Sequence, residues 1–440
     1  MKKFLSILLI LSMVLSLAAC GGSNKTEVST EQTEEKQDEV VTLRVNWWGG
    51  DERHKATLDA IKKFEELNPN IKIKAEYGGW QGHQEKVTTQ LAGGTAPDVM
   101  QINWNWLTIF SKDGNGFYDL NTLSDQLGLS NYPKDILEYA EVDGKLNGIP
   151  VSLTGRTLYF NKTTFDQFGA EIPETWDDFY AAAEKFNKKG YYPFDLDSYS
   201  AWILGMVYAE QKTGKQFISN DGKLLFTVED IKEGLKLYKD FVDKGVVADA
   251  LERAGEGGGA EAPLHQMSNW IEGKYAGVLE WTSSVGKYEK PLTEQNQVLV
   301  SGNLPVLENA KSKGWIVKPS MLFSINKDTK HPEEAAKFLN FLLNDPEGVK
   351  ILGTSRGIPI SKAAQDTLQS SGALSGLEYE GTELVLENKG LGISPYFEHS
   401  RLQDVYRQTI EKLAYGELDV DSGAQYLYDN VENVLKEIAQ

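Results

Sequence analysis

The sequence predicts an α/β protein with room for two domains. Three observations carry that prediction. Period-two apolar runs alternate with helical-period runs from residue 41 onward, as strands and helices in turn would. The first three strand-like runs each end in tryptophan beside glycine or asparagine: Trp47-Trp48-Gly49-Gly50, Gly78-Gly79-Trp80 and Asn103-Trp104-Asn105-Trp106. The chain has 440 residues, 40% hydrophobic and 25% charged, enough for two ordinary cores.

The N-terminus reads as a targeting segment. Lys2 and Lys3 precede an apolar run from Phe4 to Leu17, shorter than the roughly 20 residues of a spanning helix. The run ends in Leu17-Ala18-Ala19-Cys20-Gly21, which resembles the bacterial lipobox. The resemblance implies a lipoprotein signal peptide over 1–19 and a diacylglyceryl group on Cys20. The alternative is an ordinary signal peptide with a coincidental cysteine. Cys20 is the one cysteine, so an intrachain disulfide is excluded. Residues 20–40, the cysteine aside, are polar, acidic and free of aromatics, which predicts a disordered tether. The net charge of −19 drops by two more when Lys2 and Lys3 leave. So acidic a chain disfavours nucleic acid and anionic lipid surfaces as partners, leaving the lipid anchor as the expected membrane contact.

A strand over 43–48 leads into a helix from about 55 to 67, with Leu58, Ile61 and Phe64 at helical spacing and Asn68-Pro69 as its stop. Residues 71–77 alternate as a second strand. A helix over 84–91 closes on Gly93-Gly94. Residues 96–102 form a buried-type strand. An apolar run from 149 to 160, broken only by Gly155-Arg156, reads as a strand crossing between lobes. Thr175-Trp176-Asp177-Asp178 and Thr227-Val228-Glu229-Asp230 are capping-box arrangements that open helices, the second ending at Lys244 with Gly245 as cap. Between them, 195–202 mixes turn formers with aromatics. Residues 255–260 predict a flexible loop. Residues 276–280 form a strand with Trp281 at its tip, and 321–326 another strand. Pro332 opens an apolar helix through Leu343, and 402–415 and 422–438 are helical.

In open α/β sheets, ligands bind outside the carboxyl ends of the strands. Four tryptophan-bearing strand tips point there to a sugar-binding cleft, with core packing as the alternative for any single indole. Indoles stack on the apolar C–H faces of sugar rings, while hydroxyls need dense hydrogen bonding. Neighbours on a strand face opposite sides, so one of Trp47 and Trp48 packs while the other meets ligand, and Trp48 beside Gly49 is the better ligand contact. No nucleophile elbow, phosphate loop or His-Glu-x-x-His motif is present. The five histidines are scattered, so neither a metal nor a cofactor is expected, and no catalytic residue is assigned.

Several motifs in one order carry a family resemblance. They are the lipobox; Gly93-Gly94-Thr95-Ala96-Pro97-Asp98-Val99; Gly148-Ile149-Pro150 before Leu158-Tyr159-Phe160-Asn161-Lys162; Pro173-Glu174-Thr175-Trp176; Gly273-Lys274-Tyr275-Ala276-Gly277; and Pro332-Glu333-Glu334-Ala335-Ala336. With them the chain resembles the extracellular solute-binding proteins of bacterial ABC importers, in the oligosaccharide-binding group that includes maltose-binding protein. The three tryptophan-rich tips look closest to the branch that binds pectin-derived oligogalacturonides.

The resemblance implies the two-lobed type II periplasmic-binding-protein fold, with 41–155 plus 284–327 as one lobe and 156–283 plus 328–440 as the other. It also implies a monomeric, non-enzymatic receptor outside the cytoplasm that holds an oligosaccharide between its lobes and delivers it to permease subunits. Trp281 takes the place of a sugar-stacking tryptophan of maltose-binding protein. Asp197, Tyr199 and Trp202 match an acid-x-Tyr-x-x-aromatic element at the second lobe's cleft. Asp51 with Glu52 or Arg53 matches the acidic and basic pair after strand one. Asn105 and Trp106 replace a second such pair, which argues against maltodextrin. Gly49, His54, Trp80, Asn103, Trp104 and Glu280 complete the expected contacts. Arg53, Arg156, Lys318 and Arg356 are candidate partners for uronate carboxylates. Alternatives are a neutral oligosaccharide, a non-sugar ligand such as a peptide, or an exported carbohydrate-active enzyme.

Overall fold

The computed structural model describes residues 40–255 and 263–439. The expected signal peptide, Cys20, the tether up to residue 39 and all but the first residue of the expected loop at 255–260 lie outside the described residues. Strand β1 (Val41–Trp48) runs parallel to β2 (Ile71–Gly78) on one side and to β3 (Val99–Ile102) on the other. Leu43, Val45 and Trp47 are essentially inaccessible, and so is Asn46 on the opposite face, as befits a strand covered on both sides. The helix Asp51–Leu67 begins before the expected position, directly after Gly50. Asp51 and Glu52 fill its first turn, where the helix dipole favours negative charge. Asn68 closes it by donating from Nδ2 to the Phe64 carbonyl at 2.9 Å.

A short hairpin, β4 (Glu141–Val142) and β5 (Lys145–Leu146), turns on Asp143 and Gly144, both at positive φ. Strand β6 (Ile149–Asn161) follows and runs unbroken through Gly155-Arg156, with all thirteen residues buried. Its first half, to Gly155, pairs with β9 (Val317–Ile325), which also pairs with β3. Its second half, from Arg156, pairs with β7 (Gly277–Trp281) and β8 (Leu299–Ser301). The strand order is β2-β1-β3-β9-β6-β7, with β8 beside β6. Gly155 is needed at the changeover. A Cβ there would lie 2.4 Å from Val385 of the helix Leu377–Glu387, which presses on the strand.

Both expected capping boxes form, Thr175 with Asp178 and Thr227 with Asp230. The stretch at 195–202 differs from its sequence reading. Asp197 caps a sixteen-residue helix, Ser198–Thr213, by accepting from the Ser200 N–H. Asp and Ser are turn formers and N-caps for one reason, a short side chain that competes for backbone N–H groups, and here the cap won. This helix crosses Val228–Asp243 where Gly205 meets Gly234, so closely that a Cβ on either would lie within 2.7 Å of the other's carbonyl oxygen.

Packing also departs from the expected division at 284 and 328. The helix Pro332–Leu343 lays Phe338 and Phe341 against Phe64, 5.1 and 5.4 Å between ring centres, so it joins the β1 side. Its apolar face, with Ala335, Leu339 and Leu342, is too wide to remain uncovered. Conversely, β8 and the helix Val285–Thr293 join the second half of β6.

Candidate functional site

The tryptophan-bearing strand ends gather into two clusters. In the first, Trp48 at the end of β1 meets Trp80, Trp106 and His83, with ring centres 5.1–5.7 Å apart. Trp80 stacks on Trp106 at 5.5 Å and keeps 48% of its surface exposed. His83 sits with Nε2 3.2 Å from the Gln101 carbonyl oxygen, and burial pushes its pKa down. The cluster thus presents one indole face and backs it with three buried rings.

The second cluster lies where β6 changes partners. Register places Arg156 opposite Trp281 and Thr154 opposite Lys318. The Trp281 ring consequently has two cations over it, Lys318 Nζ at 4.6 Å and the Arg156 guanidinium at 4.7 Å. Arg156 Nη1 donates to the Leu279 carbonyl at 2.9 Å and lies 3.5 Å from Glu280 Oε1, while its Nε has no hydrogen-bond partner among the described residues. Lys318 pairs with Glu398, which also accepts from Trp104 Nε1 at 3.2 Å. Burial pushes the Lys318 pKa down and the Glu398 carboxylate opposes it. Tyr199 flanks Arg156, and burial raises its hydroxyl far above the usual range.

A groove joins the clusters. A cavity of about 290 Å³ is walled by Trp80, Asn103, Asn105, Trp106, Lys318 and Glu398. It shares Thr108 and Pro395 with a cavity of about 440 Å³, which shares Glu138, Tyr139 and Asn220 with a third of about 240 Å³. One wall comes from Trp80 after β2, the segment 103–143 and residues 315–318 at the start of β9, the other from 216–221 and 389–403. The Oδ1 atoms of Asn103 and Asn105 are buried here without a hydrogen-bond partner among the described residues. Among the described residues, no group of three or more His, Cys, Asp or Glu side chains is arranged to hold a metal ion.

Residues 50–349 match the bacterial extracellular solute-binding proteins. The chain belongs to that family. Family membership places it outside the cytoplasm, and no helix among the described residues is long and apolar enough to cross a membrane. The chain is 40% identical to a periplasmic oligogalacturonide-binding protein from Yersinia enterocolitica, solved with saturated digalacturonic acid. That alignment covers 91% of this chain and all of the other, with a TM-score of 0.80. A de novo designed cysteine esterase shows 40% identity and a TM-score of 0.85 over 91% of this chain and 99% of its own. The diacetylchitobiose-binding protein DasA of Streptomyces coelicolor is 26% identical, over 84% of this chain and 85% of its own. The fold is the type II periplasmic-binding-protein fold, a mixed sheet flanked by helices.

Within this solute-binding fold, the expected contacts divide. Trp48, Trp80, Asn103, Trp104, Asn105, Arg156, Tyr199, Glu280 and Trp281 come together in the two clusters and the groove. Others do not. Trp47 is inaccessible, stacked on Tyr77 at 5.0 Å, with Nε1 donating to His54 Nδ1 at 3.1 Å. His54 is thereby a packing partner of Trp47. Trp202 is fully buried against Phe217, and Asp197 is spent as a helix cap. Asp51 is exposed at the first turn of its helix. Arg53 donates to the Ser355 and Trp48 carbonyls, and Gly49 is what lets its side chain lie so close to β1. Arg356 turns inward to Thr57 Oγ1 at 2.8 Å and Gln101 at 3.3 Å, away from the groove. Burial pushes its pKa down to about 9, with Arg53 adding to the shift. Glu398 and Arg407, which faces Tyr199 at 5.2 Å, carried no sequence signal. Both flank or lie on the helix Ser400–Ala414, distant in sequence from every strand tip.

Behind the crossing strand, burial pushes the Glu378 carboxyl up to about 7 while Arg53 opposes the shift. The folded protein therefore binds more protons than the unfolded chain between about 4.5 and about 7, and Glu378's contribution to stability is lost as pH rises through that window. Discounted for partial exposure, Glu378→Gln is expected to gain about 1–2 kcal/mol over the parent at pH 8 and almost nothing at pH 4.5. Thermal melts at both pH values check this, and an equal gap at the two would overturn it.

Proposed function

We propose that this protein is the lipid-anchored receptor of an ABC sugar importer, capturing an acidic oligosaccharide of the digalacturonate kind between two lobes. The lobes we assign are 40–155 with 317–370, and 156–255 and 263–316 with 377–439, joined at β6 and around 316–317 and 370–377. Closure of one on the other would hold the sugar and present a docking face to the permease. The observation that carries the acidic-sugar reading is the pair of cations, Arg156 and Lys318, set over Trp281. An indole suits a sugar's C–H face, and a guanidinium beside it suits a carboxylate. Arg156 Nε, without a partner among the described residues, supplies a donor for ligand oxygens, and the Oδ1 atoms of Asn103 and Asn105 supply acceptors for ligand hydroxyls. The digalacturonate complex of the 40%-identical Yersinia protein supports the same choice. We assign Cys20 as the lipid-bearing residue, a monomer as the working state, and binding without turnover as the activity.

A neutral oligosaccharide is the second reading, favoured by DasA and by the Glu398 carboxylate that already pairs Lys318. Calorimetry with digalacturonate and with its carboxyl-reduced, neutral form, alongside product analysis, separates these. The expected result is stoichiometric heat with digalacturonate, strongly weakened binding of the neutral form, and no product. Equal affinity for both forms sinks the acidic-sugar reading, and turnover sinks the receptor.

A further inference from the structure

We propose that the Glu398 carboxylate is a built-in occupant of the carboxylate position of this site, held by Lys318 and Trp104 and displaced by the carboxylate of an acidic sugar. The inference rests on the acidic-oligosaccharide reading above. Lys318 and Trp104 reach the position from β9 and from the end of β3, while Glu398 reaches it from the opposite wall of the groove, just before the helix Ser400–Ala414. Both members of the ion pair are nearly enclosed, Lys318 with 8% and Glu398 with 11% of its side chain exposed. Lys318 Nζ also lies over the rings of Trp281 and Trp104, at 4.6 and 5.8 Å. An ammonium so placed needs an anion, and here the chain supplies it.

The arrangement has the chemistry of a ligand mimic. A uronate carboxylate has the charge and the two acceptor oxygens of the Glu398 side chain, so exchanging one for the other keeps the Lys318 charge compensated. A neutral sugar has no group able to make that exchange. The Glu398 backbone is fixed separately, its carbonyl accepting from Gln403 Nε2 at 2.9 Å, so the side chain can leave without its segment unfolding. Asn103 and Asn105, in the same cavity, can meet hydroxyls whether or not Glu398 moves. Glu398 thus acts as a competitor that an acidic sugar must outbid and a neutral sugar need not meet. It sets the affinity threshold for the charged ligand.

Glu398→Gln keeps the shape and an acceptor oxygen but removes the competing charge. With the full mature chain, calorimetry is run on parent and variant with digalacturonate and with its carboxyl-reduced form, after thermal melting shows both proteins folded. The expected result is digalacturonate binding tightened about tenfold in the variant, with the neutral form changed less than about twofold. Binding of digalacturonate by the variant alone supports the inference more strongly still. Equal or weaker digalacturonate binding by the variant overturns it, and so does a parallel change for both sugars, which would make Glu398 an ordinary hydroxyl acceptor. If neither protein binds digalacturonate, the acidic-sugar reading itself has failed and the displacement falls with it, an outcome distinct from the others.

Discussion

Lys318→Met is expected to destabilise the protein by about 3–5 kcal/mol, because it strands the Glu398 carboxylate in a nearly closed site. Among the described residues the carboxylate would keep the Trp104 N–H, 3.2 Å away, as its neutralising ammonium disappears. The pair itself need not be strongly stabilising. Burial drives the Lys318 pKa down, so the ammonium bears a desolvation cost that its attraction to Glu398 offsets. That asymmetry yields a sharper expectation. The double substitution Lys318→Met with Glu398→Leu removes both charges and fills similar volume, so it should recover most of the loss. Denaturant unfolding of the parent, both singles and the double variant checks the cycle. A double variant no more stable than Lys318→Met would show that the site is held by something other than this pair. Because the two residues come from opposite walls of the groove, the cycle also measures how strongly the chain's own charges tie those walls together.

Much of the scaffold was legible in the sequence because its signals are local. Alternation marked β1 and β2, and the two Thr-x-x-Asp capping boxes opened their helices where expected. The helix Ser198–Thr213 was not legible, since it is apolar nearly all round and its Asp197 cap reads equally as a turn. Which helix covers which sheet half was not legible either. The placement of Pro332–Leu343 against Phe64 depends on a contact across more than 260 residues, for which periodicity carries no information. The site divides the same way. Strand tips announce themselves by composition, so Trp48, Trp80, Trp104 and Trp281 could be singled out from the sequence. Their division of labour could not, because alternation assigns opposite faces without saying which face is core. At Trp47 it marked a core residue, but Trp48 is buried as well, one of the rings behind Trp80, and His54 proved to be the hydrogen-bond partner of the buried Trp47 indole. The arginines misled for a related reason. A guanidinium beside glycine in a loop serves equally well to staple carbonyls, as Arg53 does, or to fill a polar interior, as Arg356 does. Glu398 was invisible because its meaning comes entirely from Lys318 and Trp104, far away in the chain.

Trp281→Ala is expected to weaken digalacturonate binding by about 1–3 kcal/mol, from lost stacking area and a disturbed cation pair. Trp281 ends β7 opposite Arg156, so its ring is fixed by strand register and needs no reorganisation to meet a ligand. The ring also underlies both cations, so alanine removes a face from each of them at once. Trp281→Phe retains a smaller aromatic face and should lose less than the alanine variant. Trp202→Phe is the matched control, since Trp202 is wholly inside the protein and its trimming should cost stability while leaving affinity alone. Calorimetry on the three variants separates the cases. Unchanged affinity in Trp281→Ala would remove Trp281 from the site and shift the aromatic platform to Trp80 and Trp106, where the exposed indole already lines the cavity. Loss for digalacturonate with the neutral form unaffected would mean that the ring matters through Arg156 and Lys318. Equal loss for both sugars would mean that it matters by stacking. The same substitution therefore tests whether this site recognises a sugar by its face or by its charge.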